Sequence, residues 1–238
     1  MLNEIRLEGF VLLTSVYEHI NSNMYVLMAD DEALIIDPHK NEVLTELLKS
    51  KGIGKVTILL THEHHDHTTG VYWYQDIFES TLICQQNAAE YIARKQYLRP
   101  TLIAFILGEE DHVNGTHVYD EFKKSFVPCQ YYADITYEEE YSFNWHNYTF
   151  QFFHIPGHSA GSSLIILNGK YAFTGDSLLK DLPIIIRFPG SNKEDYLSTT
   201  YPLLSRQLMP DMTILPGHGE PFTLKEIMNN NQIYVQFR

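Results

Sequence analysis

The sequence is poor in cysteine and in positive charge, and it has no long apolar run. Its two cysteines, Cys84 and Cys129, stand far apart and no C-x-x-C occurs. That excludes a disulfide framework and leaves two ordinary buried thiols as the reading. Only 17 residues are Lys or Arg against 30 Asp or Glu, a formal charge of −13. A surface that acidic repels phosphate backbones, so nucleic acid is not expected as a partner. No stretch reaches the roughly 18–20 apolar residues of a membrane span. The opening MLNEIRLEGFVLL carries acids where a signal peptide has a basic segment ahead of an apolar one. Repeats and low-complexity segments are absent too. These gaps predict a soluble, cytoplasmic protein with no membrane partner, and they leave its oligomeric state open. Without a secretion signal, the triplets Asn114-Gly-Thr116 and Asn147-Tyr-Thr149 read as chance.

What is present is apolar and aromatic. At 238 residues and 44% hydrophobic, with 13 Phe and 16 Tyr, the chain can bury a substantial core. We expect a single domain, 1–238, with an insertion of helices or loops at about 97–133, where the patterning is least readable. FVLLTSV reads as a strand, and MYVLMADDEALIIDP as two strands turning at Asp30-Asp31. Asn41 opens a helix with Val43, Leu44, Leu47 and Leu48 at helical spacing, and Gly52 stops it. KVTILL is a continuously apolar strand of the kind buried on both faces. GVYWYQDIF suits a short helix, STLIC a strand, and NAAEYIARKQY a helix capped by Asn87. In the second half YTFQFFHIP alternates, and Asn168-Gly169 joins two apolar runs as a hairpin turn. Then come a helix (NKEDYLSTTYPLLSRQL), a strand (MTILP) and a last helix (TLKEIMNNN). Two successive halves of strands with helices predict an α/β protein of two packed sheets with helices outside.

The densest chemistry is THEHHDHTTG, residues 61–70, with four histidines and two acids in positions 62–67. His62 and His64 are one residue apart, so in an extended segment they point the same way and can share one ion. Asp66 and His67 fall where the chain turns toward Gly70, and can aim at a second. Imidazole with carboxylate suits Zn²⁺, with iron or manganese as alternatives. Three more candidates end predicted strands beside glycines: His158 in IPGHSAGSS, Asp176 in FTGDS and His218 in LPGHGEP. His62, His64 and His158 would make one set, Asp66, His67 and His218 another, and Asp176 would bridge. Two ions about 3.5–4 Å apart can share and activate a hydroxide.

These motifs resemble those of the metallo-β-lactamase fold superfamily. Its H-x-H-x-D-H signature matches His62-Glu-His64-His65-Asp66-His67. Pro156-Gly-His158, Gly175-Asp176 and Pro216-Gly-His218 follow in order. IIDPHKN around Asp37 is similar to the family's early acidic strand end, which buttresses the metal loop. The resemblance runs over about residues 10–225. It implies an αββα sandwich with two divalent metals, zinc first, at the edge between the sheets.

Details narrow the branch. An acid at Asp176 resembles glyoxalase II-like hydrolases, where antibiotic-cleaving relatives commonly carry Cys or Ser. His64 departs from the flavodiiron branch, the basic arm of the RNA-processing branch is missing, and Leu179 stands where acyl-homoserine lactonases place a Tyr. The chain ends about twenty residues after His218, without the C-terminal helical domain that binds glutathione in glyoxalase II. The resemblance therefore implies hydrolysis of a small thioester, ester or lactone by a dinuclear-metal hydroxide, with Asp66 able to relay a proton to the leaving group. Three alternatives stand beside it. One is a mononuclear iron oxygenase similar to persulfide dioxygenases, using His62 or His64, His158 and Asp176. The others are a phosphodiesterase and a metal-binding protein without turnover. Glu63 and His65 read as solvated or supporting residues, and His154 as a hydrogen-bonded neighbour of the site. His112, His117 and His146 read as surface residues, Thr101–Leu107 as core or lid packing, and Ser159 as a turn residue.

Overall fold

The computed structural model describes residues 2–180 and 182–229. The strands form two mixed sheets, one of seven and one of six. By its internal contacts the chain divides into two compact units. The first comprises the chain up to Leu60 with His64–Ile83 and Ala89–Ile135; the second comprises Thr61–Glu63, Cys84–Ala88 and the chain from Thr136 on.

The first unit opens with an antiparallel meander of β1 (Leu2–Leu7), β2 (Phe10–Val16), β3 (Asn23–Ala29) and β4 (Glu32–Ile36). Helix α1 (Glu42–Ser50) then crosses to β5 (Lys55–Leu59), which pairs parallel to β4. The Asn41 side chain caps α1 by accepting from Leu44 N at 2.9 Å. Ile36 and Leu59 are register partners, so the two parallel strands end side by side. Asp37 leaves one end and Leu60 the other, and Asp37 N donates to Leu59 O at 3.0 Å. Strand ends of a parallel pair are where an α/β layer presents functional groups.

After α2 (Val71–Ile77), β6 (Glu79–Gln85) adds parallel to β5. Helix α3 (Gln86–Ile92) starts one residue before the predicted Asn87 cap, because Gln85 Oε1 takes that role by accepting from Asn87 N at 2.5 Å. Residues 97–133 contain α4 (Thr101–Asn114) and α5 (Val118–Ser125). Ile103 and Leu107 of α4 and Phe122 of α5 form a small core with Tyr17 and Ile20 of the β2–β3 connection packed against it. Asp111 ties the helices together by accepting from Val118 N at 2.8 Å and Tyr119 N at 2.9 Å.

In the second unit the six-stranded sheet uses β8 (Glu140–Trp145), β9 (Tyr148–His154), β10 (Ser163–Leu167) and β11 (Tyr171–Gly175), consecutive strands paired antiparallel; β7 (Ile135–Tyr137) belongs to the seven-stranded sheet. The strands β10 and β11 are joined by three residues, Asn168 to Lys170, in which Asn168 and Gly169 take left-handed φ of 51° and 65° and Lys170 N donates to Leu167 O at 3.1 Å. Every residue of β10 and β11 is buried, as continuously apolar strands require. Further on, β12 (Thr213–Pro216) pairs parallel to β11 and is followed by β13 (Phe222–Thr223). Gly175 and Pro216 are register partners and Gly217 N donates to Gly175 O at 2.8 Å, so Asp176 and His218 leave adjacent strand ends.

The predicted helix over 192–207 is helical but divided: α6 (Lys193–Asp195), a π-turn (Tyr196–Thr200) and α7 (Tyr201–Gln207). Pro202 has no N–H for the carbonyl four residues back, and the wider turn ahead of it absorbs the break. Helix α8 (Leu224–Asn229) closes the described chain. The core of this unit runs from Phe153 and Ile155 through Leu164, Ile166 and Ile214 to Ile227. Strands β1, β7, β8 and β13 are not among the elements expected from the sequence, and Thr223, expected to open the last helix, ends β13 instead. Among the described residues no helix is long and apolar enough to cross a membrane.

Candidate metal centre

The motif loop begins as extended chain and tightens into a 3₁₀ turn at His65–His67. That turn brings Asp66 and His67 together, with Asp66 Oδ2 3.3 Å from His67 Nε2. Asp37 Oδ2 lies 3.0 Å from His67 Nδ1, and the His67 side chain is fully buried. A ring nitrogen engaged by a carboxylate fixes the tautomer and leaves the other nitrogen to donate its lone pair. The backbone of the turn is also held, since Ser22 Oγ donates to Asp66 O at 2.8 Å.

His65 faces away from this arrangement. Its ring stacks on Tyr97 with centroids 4.1 Å apart and planes 9° from parallel, and its Nε2 lies 2.8 Å from Tyr97 O. Phe126 closes on its edge, and Thr68 Oγ1 hydrogen-bonds the Tyr97 hydroxyl. Burial pushes the pKa of His65 down, against the opposing pull of the Tyr97 carbonyl. Thus His65 is an anchor for residues 95–98, not a solvated side chain. His39 is similarly buried: Ser15 Oγ lies 2.9 Å from its Nε2, Tyr17 stacks on its ring, and burial lowers its pKa to about 3.

In the second unit the rings of His62 and His158 meet edge to face at 4.9 Å. The Nδ1 of His158 lies 3.0 Å from the carbonyl of Ile185, and its Nε2 3.5 Å from Asp176 Oδ2. That same oxygen is 3.4 Å from His218 Nε2. One carboxylate oxygen therefore stands close to a ring nitrogen of each histidine. His62 and His158 are buried, whereas Asp176 and His218 keep 13% and 17% of their side chains exposed.

Glu63, between two candidate ligands, is 4% exposed. Its Oε2 accepts from Ser159 Oγ at 2.8 Å and its Oε1 from Gly161 N at 3.3 Å. Burial raises its pKa, and these bonds work in the other direction. Ser159 is therefore more than the turn residue that its position suggested. No local pattern marks the Glu63–Ser159 pair or the Ile185 carbonyl in the sequence, because each joins residues far apart in the chain. His154 bonds Ala160 O at 2.9 Å, and His112, His117 and His146 are exposed, as expected of them.

Three groups of side chains bring one donor atom each within 4.8 Å of one another: His62 with His64 and His158, Asp66 with His67 and His218, and Asp37 with His62 and His67. Asp176, the expected bridge, belongs to none of the three groups. The donors are imidazole nitrogens and carboxylate oxygens, mostly buried, with the second nitrogen of His67 and His158 already engaged. That chemistry fits a divalent transition metal. Asp37 takes part in two ways, as partner of His67 Nδ1 and as a member of the third group.

The model of the metallo-beta-lactamase superfamily matches residues 18–218. The chain belongs to that superfamily. Among its relatives, the probable metallo-hydrolase YqgX of Bacillus subtilis (strain 168) is 26% identical over 203 residues, 84% of this chain and 86% of that one. The hydroxyacylglutathione hydrolase of Pelagibacter ubique (strain HTCC1062) is 25% identical over 224 residues, 91% of this chain and 76% of the enzyme. That of Photorhabdus laumondii subsp. laumondii is 26% identical over 160 residues, and this chain spans only 48% of its length. Among solved structures, BLEG-1 B3 metallo-beta-lactamase superposes with a TM-score of 0.70 at 24% identity, covering 98% of this chain and 99% of that one. TTHA1623 in a di-iron-bound form gives 0.65 at 21%, covering 95% and 96%. Both superpositions show the shared metallo-beta-lactamase fold.

Proposed function

We propose that this chain is a metal-dependent hydrolase that holds two divalent cations, zinc first, and cleaves a small thioester, ester or lactone. The carrying observation is the pair of three-donor groups, His62/His64/His158 and Asp66/His67/His218, each with its donor atoms within 4.8 Å. Asp176, whose Oδ2 is 3.5 Å from His158 and 3.4 Å from His218, is the bridging acid of this reading. An acid here, in place of Cys or Ser, supports a glyoxalase II-like substrate over a β-lactam. The relation to YqgX and to hydroxyacylglutathione hydrolases supports hydrolysis.

When bound, two such cations supply a water that loses its proton near neutral pH and a Lewis acid for the oxygen that gains charge. The residues do the rest. Asp37 and the Ile185 carbonyl hold His67 and His158 in the tautomer that binds metal. Asp66 sits beside His67, where it would take a proton from the attacking water and pass it to the departing thiolate or alkoxide. The acidic surface suits a small-molecule substrate and no nucleic acid.

Protein stripped with a chelator and reloaded with Zn²⁺ or Mn²⁺ tests this on a panel of thioesters, lactones and phosphodiesters. Thioester or ester cleavage lost on stripping and regained on reloading is the expected result. Equal activity in stripped protein, or cleavage of phosphodiesters alone, overturns it.

A further inference from the structure

Glu63 occupies an unusual place for a carboxylate. It follows the candidate ligand His62, is 4% exposed, and among the described residues its hydrogen-bond partners are the uncharged Ser159 and Gly161. Its partners lie on the loop that carries the candidate ligand His158, almost a hundred residues later in the chain. Ser159 Oγ, one residue beyond His158, donates to Oε2 at 2.8 Å, and Gly161 N reaches Oε1 at 3.3 Å. Ser162 completes the network: its Oγ accepts from Ser159 N at 3.1 Å and lies 2.8 Å from Ser159 Oγ. A second tie runs through the backbone, from Ser163 N to Thr61 O at 2.7 Å.

Both arms of this clamp adjoin ligands. On one side is His62, with its Nδ1 3.1 Å from Thr61 Oγ1; on the other is His158, with its Nδ1 3.0 Å from Ile185 O. The two rings are 4.9 Å apart and nearly perpendicular. Burying a carboxylate is costly unless its hydrogen bonds are strong and well placed. Here each oxygen has a donor, and both donors belong to one turn. A residue spent in this way fixes the separation of two loops. Supporting residues of this sort commonly matter to metal affinity by about 10–100-fold.

We propose that Glu63 is a positioning residue for the metal centre: through Ser159 it holds the His62 and His158 loops in register and so sets how tightly the three-histidine group binds its cation. The inference rests on the two-cation reading above. It is tested by Zn²⁺ titration in competition with a chromophoric chelator, on wild-type protein, Glu63→Gln, Ser159→Ala and the double variant. The visible spectrum of Co²⁺-loaded protein and the thermal midpoint of stripped protein are recorded alongside.

Each single variant is expected to weaken one of the two zinc equivalents by about 10–100-fold and to alter the Co²⁺ spectrum, with the stripped midpoint lowered because a buried hydrogen bond is disturbed. The double variant loses no more than the worse single one, because both disturb the same contact between Glu63 and Ser159. Ser159→Ala is the milder change and carries the test if Glu63→Gln does not fold. Zinc affinities within twofold of wild type, an unchanged Co²⁺ spectrum, or losses that add would overturn the inference. Wild-type protein that takes up no metal would overturn the two-cation reading itself.

Discussion

Asp37 Oδ2 stands 3.0 Å from Nδ1 of His67, and neither side chain is open to solvent. The pair is a product of topology. Parallel pairing of β4 with β5 sets Ile36 beside Leu59, and the chain beyond each strand then brings the acid and the motif loop together. Without the acid, the His67 ring loses the partner that selects its tautomer. Asp37→Ala is therefore predicted to weaken binding of the cation at Asp66, His67 and His218 by about 10–100-fold. Asp37→Asn, which still offers an acceptor oxygen, is predicted to lose less. Chelator competition measures both, and an alanine variant that holds two equivalents as firmly as wild type would refute the role.

Gly70 sits where the motif loop meets the chain after β4. A Cβ built there would lie 2.5 Å from the carbonyl carbon of His39, which is backbone and cannot swing aside. Gly70→Ala is predicted to cost about 1–3 kcal/mol through overpacking. At Gly54 nothing lies within 4 Å of the added carbon. Gly54→Ala is predicted to stay within about 0.5 kcal/mol of wild type. Urea denaturation of the two variants side by side checks the contrast, and equal effects would contradict it.

The burial of His39 makes stability depend on pH. Its folded pKa, about 3, lies below its unfolded value of about 6.5. Between those values the unfolded chain takes a proton that the folded chain refuses. Stability is therefore full above pH 6.5 and falls as pH drops toward 3, by up to about 1.4 kcal/mol per pH unit. Stripped wild-type protein is predicted to lose about 2 kcal/mol more than stripped His39→Gln between pH 7 and pH 5. Parallel losses in the two proteins would show that His39 titrates normally.

The ligand segments could be read from the sequence because local chain geometry governs them. Alternate histidines in an extended segment share a direction, and glycines beside His158, Asp176 and His218 mark turns at strand ends. Elements with one clear period were legible for the same reason, such as α1 with its Asn41 cap and the hairpin at Asn168-Gly169. What the sequence hid is non-local. Nothing near Glu63 foretells Ser159, and nothing near His65 foretells a stack on Tyr97. Strand β1 escaped because Leu2, Ile5 and Leu7 break strict alternation and none of its residues is fully buried, whereas β8, EYSFNW, does alternate and stood unread beside the Tyr-rich stretch before it. Residues 97–133 resisted because α4 is apolar around much of its circumference while only Ile103 and Leu107 are fully buried.

The most direct test of the account is the number of metal ions that one chain holds. Stripped protein is titrated with Zn²⁺, the bound metal is counted by elemental analysis, and the count is repeated on the protein as purified. Two equivalents per chain are predicted, falling to one in a His218→Ala variant. Saturation at a single equivalent, or a single iron as purified with oxygen uptake on adding a persulfide, would contradict the account.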